Sequence, residues 1–333
     1  MSLLRKRRAS VLMVSLWVLL ILTMLAVSVG HRVSMALKLT QYQRDAVNAA
    51  FLAKAGINRA ISVIDSNNNK VYNPWANNED VFKKITFGAN EDEFVSVNYV
   101  DNDVPKTVFG VRDEESRINI QLANWSLLKQ LCNSCYVDTD DQLGKLANYI
   151  LLWRGDSVSL TGDEGKGFKG APFANPEELL VVLECFFRDN VDPHSNVYRA
   201  KARNLFACIQ DKITVWGDGK LNINTVSEPV LSIFLESLAT NKDKAGAIAL
   251  ADEIILLRTT NLNSISNLKP FNNSDDIKNL KNQDLLVSFN PAFSFLDSNY
   301  FRIQASGTCR NVSRDITAVY DRQGKKVVYW HEN

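Results

Sequence analysis

The stretch Arg5–Val29, RKRRASVLMVSLWVLLILTMLAVSV, decides how the rest of the chain is read. Arg5-Lys6-Arg7-Arg8 precedes a run from Val11 to Val29 that carries no charge and only Ser15, Thr23 and Ser28 as polar side chains. About 19 residues at ~1.5 Å each reach ~28 Å, close to the thickness of a hydrocarbon core. Basic residues ahead of the run orient the N-terminus to the cytoplasm and the body to the far side. No other stretch is apolar over such a length, so one crossing followed by a large exported body is expected. A secretory signal peptide is the competing reading, since Ala26-Val27-Ser28 offers a small-x-small cleavage site.

Helical signal continuing past the run argues against cleavage there. From Met35 to Ile64 there is no Pro, and Val47, Ala50, Phe51, Ile57, Ile61 and Ile64 recur at three- and four-residue steps. Lys54 interrupts this stripe and Gly56 weakens it. The spacing predicts one helix from Ser10 to Ile64, apolar all round in its first half and amphipathic in its second. The chain's 333 residues allow a sizeable core, and its 38 Lys+Arg against 37 Asp+Glu give a net charge of +1, too little pull for a dedicated nucleic-acid binder. An apolar content of 46% excludes a disordered chain, and a slightly negative mean hydropathy excludes a polytopic membrane protein.

Residues Ser66 to Glu93 read as loops around a short helical piece, broken at Pro74. Glu93 to Val100 alternates at period two with Val95, Val97 and Tyr99 on one face; a turn over 101–105 and a second strand over 107–111 complete a hairpin. From Leu122 to about Leu280 the pattern is helical, with helices expected over 143–153, after Asn175-Pro176 as N-cap and first residue, after Ser227, and over 242–258. Thr225 or Ser227 is expected to cap the third of these. Strands return at Tyr300–Ala305, with Phe301, Ile303 and Ala305 on one face, then at Ile316–Tyr320 and Lys325–Trp330 around a turn at Asp321–Gly324.

The long anchored helix resembles that of type IV pilin-like proteins, and several local motifs are similar to the K-type minor pseudopilin of type II secretion (general secretion pathway protein K). These are Arg7-Arg8-Ala9-Ser10, Leu16-Trp17-Val18-Leu19, Ala53-Lys54-Ala55-Gly56-Ile57, Gly110 to Ile120, Lys220-Leu221-Asn222-Ile223-Asn224-Thr225, and Leu296-Asp297-Ser298-Asn299-Tyr300-Phe301. The resemblance covers nearly the whole chain. It implies an α+β fold in which a pilin-like long N-terminal helix packs on a small antiparallel sheet, with a large helical domain inserted between strands. The expected organisation is a basic leader (1–9), the transmembrane part (10–30) and exported part (31–64) of the helix, the first part of the pilin-like domain (65–121), the inserted helical domain (122–290), and C-terminal strands completing the first domain (291–333).

The resemblance further implies cleavage by prepilin peptidase between Ala9 and Ser10, where Ala9 stands in place of the family's Gly. Counting from Ser10, Val14 occupies the fifth position, where most pilins carry a Glu that neutralises a neighbour's amino terminus. A lone buried carboxylate is costly, so Val14 fits a subunit with no neighbour above it. The implied role is a non-enzymatic subunit that initiates and caps a periplasmic pseudopilus. Its implied partners are I- and J-type minor pseudopilins, the major pseudopilin, prepilin peptidase and the inner membrane, with no nucleic acid. Alternatives are a type IV pilus minor pilin, or a periplasmic binding or catalytic domain merely tethered by the apolar run.

Motifs for chemistry are sparse. The three His are His31 beside the membrane, His194 in a loop and His331 near the end, and neither His-Glu-x-x-His nor Gly-x-Ser-x-Gly occurs. Gly162 to Gly167 lacks the Gly and the Ser/Thr that a P-loop needs. Asn222-Ile223-Asn224-Thr225 is reminiscent of helix-hairpin-helix DNA binders, but without their Gly-rich hairpin it reads as a structural cap. Asp138-Thr139-Asp140-Asp141 fails as an EF-hand because Leu143 and Tyr149 take the required Gly and Glu positions. Asp156, Asp163 and Glu164 form a second acidic group; K-type relatives carry calcium in their helical domain, so these three are candidate calcium ligands, with solvated loop carboxylates as the alternative. Five Cys face an oxidising compartment: structural disulfides are expected among Cys132, Cys135, Cys185 and Cys208, with pairing open and Cys309 left over. Cys132-Asn133-Ser134-Cys135 has the spacing of a small disulfide loop, a zinc half-site or a redox pair; zinc lacks two further ligands at a recognised spacing and thioredoxin-like flanks are absent, which leaves a structural role.

Overall fold

A computed structural model describes residues 2–66, 78–88, 90–101, 106–158, 167–190, 197–239, 244–263, 271, 273–277, 292–295 and 298–332. Pro74, the turn residues 102–105, Asp163, Glu164, His194, Pro270, Leu296 and Asp297 lie outside them. Helix α1 runs without a break from Ser2 to Ser66, reaching back through the basic leader. With no Pro before Pro74, nothing in this stretch removes a backbone donor or forces a kink.

The C-terminal part of α1 lies across an antiparallel sheet. Its strands are β1 (Ile85–Thr86), β2 (Glu93–Asp101), β3 (Lys106–Phe109), β4 (Arg112–Asp113), β9 (Tyr300–Cys309), β10 (Val312–Asp321) and β11 (Lys326–Glu332). The order is β1-β2-β9-β10-β11, with β3 on β2 and β4 on β9. Residues before and after a long insertion therefore share one sheet. The hairpin pairs Asn98 with Phe109, and alternation buries Val95 and Val97, then Phe301, Ile303 and Ala305, beneath α1. In the last turn the left-handed residue is Lys325 rather than Gly324, whose N–H donates to Asp321 Oδ1 at 2.8 Å.

Between β4 and β9 the chain builds a separate helical body with its own core, from Ile118 to Phe293. It contains β5 (Ile118–Asn119), α3 (Trp125–Asn133), α4 (Asp140–Trp153), α5 (Glu178–Asn190), α6 (Val197–Ile209), β6 (Ile213–Thr214), β7 (Leu221–Asn222), α7 (Glu228–Leu238), α8 (Lys244–Asn263) and β8 (Phe293–Ser294); the short α2 (Glu79–Phe82) belongs to the sheet domain. Two miniature parallel sheets, β5–β6 and β7–β8, close it. Asn175 Oδ1 accepts from the Glu178 N–H at 3.1 Å, as an N-cap should. The other expected cap is corrected: Ser227 sits at the N-cap of α7 without a side-chain bond, and the Thr225 hydroxyl is turned instead onto Asp113 at 2.5 Å. A buried carboxylate is the stronger acceptor for that hydroxyl.

Candidate functional site

The stem presents two faces. Toward the sheet it offers Ala49, Ala53, Gly56, Ile57, Ala60 and Ile64, all buried. Away from it, Val47 and Phe51 are 55% and 65% exposed, and Val33, Leu37 and Tyr42 continue the exposed apolar surface toward the N-terminal half of the helix. This corrects the expected stripe: of its six members only Ile57 and Ile64 are fully buried. Small residues, not large ones, seat the helix. A Cβ on Gly307 of β9 would lie 2.1 Å from the Ala49 carbonyl oxygen, so only glycine permits the approach. Lys54 lies off the sheet face and pairs with Glu332 at 3.0 Å.

The second feature is the junction where the chain leaves and re-enters the sheet domain. Three consecutive acids, Asp113, Glu114 and Glu115, are all buried there. Asp113 Oδ2 accepts from Asn222 Nδ2 (3.1 Å), Thr225 Oγ1 (2.5 Å) and Ser298 Oγ (2.6 Å), and its Oδ1 accepts from the Glu115 N–H (2.8 Å). Glu114 accepts from Arg302 Nε (2.5 Å), Arg117 Nη1 (3.4 Å) and Thr214 Oγ1 (2.5 Å). Glu115 Oε1 accepts from the Asn299 N–H at 3.0 Å. Trp216 from the helical body then packs on Tyr329, with ring centres 5.5 Å apart, and the Arg302 guanidinium lies over it. Three motifs far apart in sequence (113–117, 222–225 and 298–299) thus converge on one polar knot between two apolar cores.

Burial dominates the electrostatics of the knot. It would raise Glu114, but Arg302 and then Arg117 hold that carboxyl below its usual range. Asp113 is pushed up to about 6 by burial, against the opposing bonds from Ser298, Thr225 and the Glu115 amide. Glu115 goes up to about 8, by burial first and the Asp113 charge second.

The remaining candidate residues are scattered. Ala9 and Ser10 lie within the continuous helix α1, and Val14 is exposed on its apolar base. Of the three calcium candidates only Asp156 is among the described residues. Its Oδ2 accepts from Arg154 Nε (3.0 Å) and Nη2 (2.6 Å), so it brings one half-engaged carboxylate where Ca²⁺ takes six to eight oxygens; the described residues alone do not fit the ion. Among them no three His, Cys, Asp or Glu side chains come together as a metal site. Asp140 and Asp141 sit in the first turn of α4 and pair with Lys129 and Lys145. Cys135 is bonded to Cys208, while Cys132, Cys185 and Cys309 are free thiols. The Cys132–Cys135 loop is therefore not formed. Cys132 is buried in α3, which raises its thiol to about 12.

Sequence reading missed an internal repeat in the helical body. Arg154 Nη1 donates to the carbonyls of Ile120 and Ala123, both at 2.8 Å; Arg258 Nη1 donates to those of Ile223 (3.1 Å) and Val226 (2.7 Å). The amides of Gln121 and Asn224 likewise donate to the carbonyls of Phe173 and Phe271. The signal was present: Ile118-Asn119-Ile120 matches Leu221-Asn222-Ile223, and Ile150-Leu151-Leu152-Trp153-Arg154 matches Ile254-Ile255-Leu256-Leu257-Arg258.

No protein-family model matches the sequence, and no curated protein matches it either. Among solved structures it is similar to a chain of the GspK-GspI-GspJ complex from the enterotoxigenic Escherichia coli Type 2 Secretion System, with a TM-score of 0.58 and 15% identity over 88% of this chain and 99% of that one. At that identity the likeness speaks for architecture. The chain has the α+β, pilin-like fold of a subunit in that complex, with one N-terminal helix long and apolar enough to cross a membrane.

Proposed function

We propose that this chain is a K-type minor pseudopilin: a non-enzymatic, single-pass inner-membrane subunit with a periplasmic body that helps initiate and cap the pseudopilus of a type II secretion system. The observation that carries this reading is helix α1. One rigid rod joins a membrane-length apolar base to a sheet through its small-residue face, and leaves Val47 and Phe51 open to neighbours. Exposed apolar surface of this kind marks a protein or membrane contact. The partners in this reading are I- and J-type minor pseudopilins and the major pseudopilin, in keeping with the complex in which the similar chain was solved. Val14 removes the charged group that a subunit above would pair with. The bulky helical body, carried at the head of the stem, blocks further stacking.

Co-expression with prepilin peptidase tests the reading. The expected product lacks nine residues and begins at Ser10, and Phe51→Glu abolishes its complex with the I- and J-type subunits. A mature chain starting near Val29, or an unaffected complex, refutes it.

A further inference from the structure

The Cys135–Cys208 disulfide has a cation seated against it. Lys212 Nζ lies 3.3 Å from Cys135 Sγ and 3.4 Å from Cys208 Sγ, and it donates to the Cys208 carbonyl at 2.7 Å. An ammonium carries three N–H donors, so one secures the carbonyl and two are left for the sulfurs. The backbone fixes this arrangement. Cys208 is the penultimate residue of α6, and Lys212 ends the 3-10 turn Gln210–Lys212 that follows the helix. Cys135 lies just past the end of α3. Both sulfurs therefore sit at helix C-termini, where a partial negative charge of about one half disfavours a thiolate. A whole positive charge touching both sulfurs outweighs those partial charges, which are spread over several carbonyls, one of them already bonded to Lys212. The intact disulfide is neutral and gains little from such a neighbour. A departing thiolate gains a charge-assisted hydrogen bond, so the lysine favours cleavage over the resting bond.

We propose that Cys135–Cys208 is a thiol–disulfide exchange site operated by Lys212, with a dithiol as its co-reactant. Cys208 is exposed and Cys135 half-buried, so attack falls on Cys208. The chain's own thiols are poor attackers: burial raises those of Cys132 and Cys185, and Cys309 lies on β9 in the sheet domain. One thiolate of the dithiol bonds to Cys208 Sγ, the Cys135–Cys208 bond breaks, and its electron pair leaves on Cys135 Sγ against the Lys212 ammonium. The second thiolate of the dithiol then attacks its own partner sulfur in the mixed disulfide and releases Cys208 Sγ. Two electrons have passed from the dithiol, now a disulfide, to the two cysteines, and the dithiol's two protons end on their sulfurs. Exchange unties the end of α3 from the end of α6. Two residues beyond Lys212, Thr214 donates to Glu114, so the cross-link and the polar knot lie on one short strap.

The test is the rate at which excess dithiothreitol reduces the full-length chain in detergent at pH 7. Timed samples are alkylated, and the Cys135 and Cys208 peptides are quantified by mass spectrometry. Lys212→Met removes the charge and the hydrogen bonds, whereas Lys212→Gln keeps an N–H for the Cys208 carbonyl and removes only the charge. A poorer leaving thiol slows exchange, so reduction about tenfold slower than wild type is expected in both variants. If Lys212 were only a structural prop, its loss would loosen the strap and speed reduction, the opposite sign. Reduction of either variant as fast as wild type, or faster, overturns the proposal.

Discussion

Gly307→Ala tests the seating of the stem most directly. The added Cβ would lie 2.1 Å from the Ala49 carbonyl oxygen and 2.5 Å from the Ala53 nitrogen, both helix backbone that no rotamer change can move. To restore ordinary contact the helix must back off by roughly 1 Å, and a gap of that size forfeits about a quarter to a half of each dispersion contact along the seam. The contacts at risk belong to Ala53, Ile57, Ala60 and Ile64 against Val95, Phe301, Ile303 and Ala305. A loss of about 3 kcal/mol follows, at the upper end of ordinary overpacking. Gly56→Ala makes the contrast: its Cβ would meet the Val95 side chain at 2.6 Å, a neighbour that can turn away, so about 1 kcal/mol is expected and Val95→Ala should relieve it. Urea unfolding monitored within the sheet domain measures both. A Gly307→Ala protein as stable as the wild type, or no more destabilised than Gly56→Ala, would show that the helix is not seated by this close approach.

Cys208→Ser opens a covalent loop of sequence separation 73; chain-entropy estimates put the loss near ~4 kcal/mol, read as a lower unfolding midpoint that reductant reproduces in the wild type. Non-reducing peptide mapping at pH 8 should return Cys135–Cys208 alone, because the buried Cys132 thiol supplies almost no thiolate for exchange; recovery of a Cys132–Cys135 peptide contradicts this. The shift of Glu114 is opposite in sign to that of Glu115. Held below its usual value, it contributes stability that is present above the unfolded pKa and is lost as pH falls through the folded one. Arg302→Met leaves that carboxylate only Arg117 and Thr214 and should cost about 1.5–3 kcal/mol at neutral pH in a thermal melt, with a smaller difference in acid. Calcium at Asp156, if the ion is held there, predicts a melting temperature lowered by chelation and a loss of that shift in Asp156→Ala; an unchanged melt in the intact chain removes the ion from the account.

Local chemistry was enough for much of the architecture. A run of apolar residues behind a basic patch, unbroken by Pro, can only be a helix that ends in an apolar environment, because no other conformation satisfies its backbone there. Period-two alternation marked β2 and β9, and Asn175 marked the start of α5, since each signal depends on neighbours a few residues apart. What lay beyond reach depended on partners 73 residues or more away. Which face of α1 meets the sheet is set by glycine and alanine fitting against Gly307 and Ala305, and hydrophobicity alone ranks Val47 and Phe51 above them. Thr225 looked like a cap because its own helix is the nearest claimant, yet its hydroxyl donates to Asp113, 112 positions earlier. Cys135 found Cys208 rather than its near neighbour Cys132 because α3 and α6 pack together. A sequence states each group's capacity to bond, whereas the choice among bonding partners is made only when the two cores close and bring distant carboxylates, hydroxyls and sulfurs within reach.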